Sequence, residues 1–287
     1  MFAPEMFALA ARCSLCLCCR WPATFNARQL TQPLLDASAI PVADEAADED
    51  DPLEGCPLMH HTTVALIPPD DAWSPLQEAR MLVRDKGLWR WPPHANLLYP
   101  FVAPKLFRSA AVKLAHAASA VPPFEVRLRE LRIFKHPRSA TLWLHPEPSR
   151  EGALVDLQAA LQSAIPHADQ QTAGHGGTFT AHFTVGQFGS EEEALAAKEQ
   201  ILAAALWDPA EGVKFVVDEV VVMARDGADG QFEPRWRIPL GVARGGRPVG
   251  PLERGETFVH MPKQMPEYCV REPGGRKKGR RGRRGRS

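Results

Sequence analysis

HANLLYPF (residues 94–101) and HFTVGQF (182–188) are the stretches on which the fold turns, because each opens with a histidine and each is followed by the same succession of patterns. After the first come a helix-like PKLFRSAAVKLAHAASAV (104–121) and a strand-like PFEVRLRELRIF (123–134). After the second come SEEEALAAKEQILAAALW (190–207) and KFVVDEVVVMAR (214–225), of the same two characters. His94 to Phe124 spans 30 residues and His182 to Phe215 spans 33, so the two strand-helix-strand units match in order, length and the place of one histidine. Self-similarity of this kind points to a duplicated architecture.

The neighbouring sequence extends the pattern. HTTVALIPP (61–69) reads as a strand stopped by two prolines, and WSPLQEARMLVRD (73–85) as a helix with Ser74 at the N-cap and Pro75 at the first helical position. In WPPHANLLYPF (91–101) the prolines bracket a short apolar stretch and favour a strand over a helix. ATLWLHPE (140–147) is a strand and SREGALVDLQAALQSAI (149–165) a helix with apolar residues at helical spacing. FEPRWRIPL (232–240) closes the set as a strand paired in a hairpin with 214–225 across DGADG.

Composition sets the limits of this domain. A hydrophobic fraction of 45% over 287 residues supplies a real core. The 34 basic and 34 acidic residues cancel, but the balance hides two blocks. The tail RKKGRRGRRGRS (276–287) holds eight basic and no acidic residues, while DEAADEDDPLE (44–54) holds seven acidic and no basic ones. The remaining 26 basic and 27 acidic residues leave the body near neutral, so attraction to polyanions is concentrated in the tail, as an RNA-binding arm or a nuclear-localisation signal. Residues 1–57 lack sustained periodicity and are read as a disordered or removable leader, 58–241 as the folded domain, and 242–287 as a disordered Gly, Pro and Arg-rich tail. The leader is poor in acid over its first 30 residues, which faintly suggests a transit peptide, or equally untranslated sequence. Its cluster Cys13, Cys16, Cys18 and Cys19 has no second Cys or His pair at finger-like spacing, so free thiols or lipidation sites are the plainer readings than zinc. No apolar run is long enough to span a membrane. The cysteine pattern is not that of a secreted framework, so the chain is expected inside the cell, nuclear or cytoplasmic, with an organelle as the alternative the leader leaves open.

The chemistry sits in the repeat. On a strand, residues two apart share a face, so His94 projects beside Asn96 and His182 beside Thr184. If the units pack about a pseudo-twofold axis, two imidazoles face one another with a small hydrogen-bonding side chain beside each. That arrangement suits a phosphodiester: one imidazole takes a proton, the other gives one, and the donors hold the non-bridging oxygens. The paired histidine motifs, with VALIPP upstream and WPPHANLLYPF around the first histidine, resemble the two-histidine (2H) phosphoesterase superfamily, also called 2′-5′ RNA ligase-like, over residues 60–241. The resemblance implies a bilobal α+β fold, with antiparallel sheets lining a central cleft. It also implies metal-independent hydrolysis or transesterification of 2′,3′-cyclic or 2′-5′-linked phosphates at RNA ends, His94 and His182 as the acid/base pair, and Thr184 as the phosphate-holding hydroxyl. Two departures matter: Asn96 stands where the family has Thr or Ser, and Ala181 where a proline commonly precedes the second histidine. An Asn amide still donates to a phosphate oxygen, so Asn96 bears on substrate choice more than on activity.

Neither motif brings a carboxylate or a third ligand, so no metal and no cofactor is expected. Partners are RNA ends or small nucleotide phosphodiesters, in RNA processing, with the chain acting as a monomer. Tyr99 and Phe188 are candidates for stacking a base, weighed against the plainer reading that both are core. His136, His145 and His175 are read as structural or solvated, with the AGHGGT loop around His175 at the rim of the cleft. Asp218 and Glu219 alternate faces on a strand and suggest no carboxylate chemistry. Two alternatives stay open: joining of RNA ends through a 2′-5′ bond, and a binding module that recognises a terminal phosphate without turnover.

Overall fold

The computed structural model describes residues 51–173, 176–241, 248–252 and 258–270; the leader up to residue 50, with its Cys cluster, His175 and the basic run 276–287 lie outside the described residues. The strands are β1 (Leu58–Met59), β2 (Thr62–Leu66), β3 (Ala95–Leu98), β4 (Phe101–Val102), β5 (Phe124–His136), β6 (Ser139–Pro148), β7 (Phe183–Phe188), β8 (Val213–Val217), β9 (Glu219–Ala224) and β10 (Glu233–Pro239). The helices are α1 (Trp73–Leu82), α2 (Phe107–Ser119), α3 (Ala153–Ala164), the short α4 (Gln170–Ala173) and α5 (Glu191–Ala204). This is a mixed α+β fold of two antiparallel four-stranded sheets, ordered β3-β2-β9-β10 and β7-β6-β5-β8, with β1 and β4 paired apart from them. Each histidine motif therefore lies on an edge strand, next to the strand that precedes it in its sheet, β2 for β3 and β6 for β7.

The duplication shows in how the helices are shared. α1 leaves β2 in the first sheet yet packs on β7 and α5, whereas α3 leaves β6 in the second sheet yet packs on β3 and α2. Gly186 lets this happen: a β-carbon there would lie 2.9 Å from the Phe188 ring and 3.2 Å from Val83, just after α1. One core joins both lobes, running from Val64 and Leu98 through Leu114 and Leu157 to Leu142 and Val185. Helix ends follow local chemistry. Ser190 caps α5 by accepting from Glu193 N at 3.2 Å, and Glu193 in turn accepts from Gly189 N at 2.8 Å. The expected cap at Ser74 is not used: a 3-10 turn over Asp70–Ala72 leads into α1, and Ser74 Oγ donates to Glu78 instead.

Three sequence expectations are corrected. The run 214–225 is not one strand: it breaks at Asp218, β8 pairing with β5 and β9 with β2 and β10. Burial explains the break, since β8 alternates buried and exposed residues as an edge strand does while β9 is buried on nearly every position between two neighbours. The fold also starts before Met59, because Leu53 is 2% exposed within the main core, and Asp51 pairs with Lys113. Nor does packing end at Gly241. Val249 bridges Arg237, and Phe258 and Met261 fill a second cluster with Ala65, Trp73, Val221 and Phe232. Their segment is further tied by Gln231 Nε2 to the Pro262 carbonyl at 2.9 Å. Isolated apolar side chains in a Gly- and Pro-rich segment carry no periodicity, which is why composition alone concealed them. Among the described residues no helix is long and apolar enough to cross a membrane.

Candidate active site

Both histidines sit one residue ahead of their strands, His94 before β3 and His182 before β7. Each is tethered in the same way. His94 Nδ1 lies 2.8 Å from the Pro92 carbonyl and His182 Nδ1 lies 2.9 Å from the Thr180 carbonyl, so each Nδ1–H donates to the main chain two residues upstream. A carbonyl only accepts, which puts a proton on each Nδ1 and turns each Nε2 away from the main chain.

The repeat reaches further into the strands. Leu98 pairs with Val64 but Asn96 pairs with Ala65, so Leu97 is bulged; Gly186 pairs with Leu142 but Thr184 with Trp143, so Val185 is bulged. Both bulges fall three residues after the histidine, and each reverses the alternation beyond it. Asn96 and Thr184 thus share a face with their histidines, as expected. Tyr99 returns to the His94 face, its ring meeting Trp91 edge-on at 5.6 Å and its hydroxyl donating to the His60 carbonyl at 3.2 Å. Phe188 shares a face with Leu142 and Gly186 and packs on the core, so the base-stacking role considered for it is withdrawn. Gln187, exposed, takes the opposite face.

The surroundings of the two imidazoles differ. The Trp91 indole lies parallel to His94 at 4.4 Å and 8°, and also stacks on Phe232 at 3.7 Å. His182 stands nearly perpendicular to Phe134 at 5.2 Å and to Trp143 at 6.0 Å, and those two rings stack on each other. Asn96 Nδ2 donates to His94 Nε2 at 3.2 Å, while its Oδ1 accepts from the buried Thr63 hydroxyl at 2.7 Å, which sets the amide's direction. His94 is half-buried. Burial pushes its pKa down to about 3 against a weaker opposing pull from the Pro92 carbonyl, and Arg80 and His182 push the same way. Trp91, Phe134, Trp143 and Thr63 were missed by sequence reading. Trp91 lay in the stretch quoted around the first histidine, but nothing in the sequence marked Phe134, Trp143 or Thr63 as neighbours of a histidine.

His136 and His145 line the second sheet: His136 lies 3.3 Å from the Thr141 hydroxyl, and burial, with Arg132, lowers the pKa of His145. Among the described residues no three His, Cys, Asp or Glu side chains gather to hold a metal ion. A cavity of about 310 Å³ between Arg108, Asp226 and Trp236 includes neither histidine.

A bilobal α+β fold with one tethered histidine per repeat defines a class, and the comparisons with known proteins give it a name. The chain belongs to the 2′-5′ RNA ligase superfamily, whose family model matches residues 68–229, more than half of its length. Among solved structures it is similar to E. coli LigT complexed with 3′-AMP (17% identity, TM-score 0.43, 64% of this chain and 99% of that one). It is similar also to TT0787 of Thermus thermophilus (19%, 0.42, 63% and 98%) and to Kluyveromyces marxianus Usb1 (10%, 0.36, 62% and 97%). No curated protein sequence matches the chain. Membership makes phosphodiester hydrolysis or ligation, on RNA or nucleotide substrates, its class of chemistry.

Proposed function

We propose that this protein hydrolyses phosphodiesters at RNA ends or in small nucleotides, either 2′,3′-cyclic phosphates or 2′-5′ linkages, by metal-independent acid/base catalysis with His94 as base and His182 as acid. The observation that carries the reading is the matched tethering of both Nδ1 atoms to main-chain carbonyls, which turns both Nε2 atoms away from the main chain. His94 suits the base because burial keeps it neutral at physiological pH. Its Nε2 takes a proton from the attacking water as the new P–O bond forms; His182, starting as the imidazolium with both nitrogens protonated, delivers its Nε2 proton to the ribose oxygen as the old bond breaks and is left neutral. Thr184 and Asn96 donate to the non-bridging oxygens, Asn96 by turning its amide from Nε2 to the phosphate. The basic tail, 276–287, adds contact with longer RNA.

Incubating the purified protein with a 2′,3′-cyclic mononucleotide and a 2′-5′-linked dinucleotide in the presence of a chelator tests this. Turnover should persist, and His94→Ala or His182→Ala should lower it roughly 10²- to 10⁴-fold. Near wild-type turnover in both variants overturns the reading, as does activity lost to the chelator and restored by a divalent ion.

A further inference from the structure

Arginine is rarely found fully buried, yet Arg80 of α1 is 3% exposed and lies against Asp85, 5% exposed. Its Nε and Nη2 both reach Asp85 Oδ2 at 2.9 Å. Nη1 donates to Gln77 Oε1 at 2.9 Å and to the Trp91 carbonyl at 2.8 Å. Asp85 Oδ1 in turn accepts from Gly87 N at 2.9 Å. One guanidinium thus ties together the end of α1, the turn after it and the residue whose indole lies flat on His94. Desolvation largely offsets the attraction in a buried ion pair, so stability alone is a weak reason to keep one.

We propose that Arg80 is a positioning residue for His94: it fixes the Trp91 main chain and, through the stacked indole, the plane of the imidazole. This rests on the reading of His94 as the base. Its charge works in the same sense. Burial chiefly holds His94 neutral; the charges that add to this are Arg80 from α1 and His182 at the start of β7, while the Pro92 carbonyl opposes them. Arg80 therefore orients the base and keeps its lone pair available. Asn96, beside it on β3, carries no charge.

The test uses the full chain and two measurements, NMR titration of the His94 imidazole and steady-state kinetics on a 2′,3′-cyclic mononucleotide. Arg80→Lys keeps the charge but cannot bridge Asp85, Gln77 and Trp91 at once; kcat should fall about tenfold with KM within about twofold and the titration little moved, since misorientation acts on the chemical step. The double variant Arg80→Leu with Asp85→Leu removes both charges without stranding either. It should show a similar loss, and the His94 midpoint, with the acid limb of the pH profile, should move up toward the ordinary histidine value. A merely structural role would lower the folded fraction and leave the midpoint in place. The proposal is overturned if folded Arg80→Lys keeps wild-type kcat, or if the folded double variant keeps the wild-type midpoint. If wild-type protein turns over no phosphodiester, the catalytic reading falls, and the titration still decides whether Arg80 acts on His94.

Discussion

Asn96 Nδ2 donates to His94 Nε2 across 3.2 Å, so the imidazole nitrogen turned away from the main chain shares its lone pair with a neighbour two residues along the strand. The resemblance leads to the expectation of a Thr or Ser here, with a shorter side chain; under the proposed mechanism the contact made by the Asn96 amide competes with proton transfer.

Replacing Asn96 by Thr should be tolerated, with kcat within about threefold, because a hydroxyl still reaches the phosphate. Asn96→Asp should behave differently. A carboxylate beside Nε2 stabilises the imidazolium, so the acid limb of the pH profile should move to higher pH and activity near pH 5 should fall more than activity near pH 8. Superimposable profiles for wild type and Asn96→Asp would show that the 3.2 Å contact has no influence on the base.

Stability should depend on pH through the same residue. His94 has a folded pKa of about 3 against the usual 6.5, so between those values the unfolded chain binds the proton more readily. The contribution is intact above about pH 6.5 and declines as pH falls toward 3, by up to a few kcal/mol. Urea midpoints at pH 7.5 and 4.5 should differ in wild type and differ less in His94→Gln. An equal difference in the two proteins would assign the acid sensitivity to other groups.

Two truncations should separate the C-terminal segments. Ending the chain after Val270 removes the basic run, and should flatten the salt dependence of binding to long RNA while leaving hydrolysis of a small nucleotide intact. Ending it after Gly241 also removes Phe258 and Met261 from their cluster. That loss should be destabilising, with Phe258→Ala alone approaching the roughly 3–5 kcal/mol of a large core truncation. A Gly241 truncation as stable as the full chain would show that these side chains only rest on the surface.

The two aromatic candidates should part company. Phe188→Leu should lower stability by about 1 kcal/mol without changing KM, since the ring packs on the core side of β7. Tyr99→Ala should raise KM for a dinucleotide by about fivefold or more, the scale of a lost stacking contact. A KM effect from Phe188→Leu instead would mean that the bulge at Val185 does not set its face in solution.

What could be read from the sequence was whatever repeats. Two histidines in matched units pointed to two strands, two helices and a pair of donors, and period-2 reasoning carried Asn96 and Thr184 to the right faces. It failed at Phe188 because a bulge leaves no local mark: Leu97 and Val185 look like any apolar strand residue. The break at Asp218 was hidden because FVV and VVVMA are both continuous apolar runs, and only their burial tells them apart. Thr63, Arg80, Phe134 and Trp143 approach the histidines only through pairing and packing between distant segments, which spacing along a chain does not encode.

Each sheet is backed by a helix whose preceding strand belongs to the other. Enzymes that clamp on a substrate have domains free to swing about a hinge. Here, parting the lobes would pull α1 from β7 and α3 from β3, with loss of shared core on both sides. The relative placement of β3 and β7 is therefore set by the shared core. Under the proposed function, turnover is then expected not to be gated by domain opening. The same interlocking means that neither half of the duplication is a foldable unit by itself, although together they read as two copies.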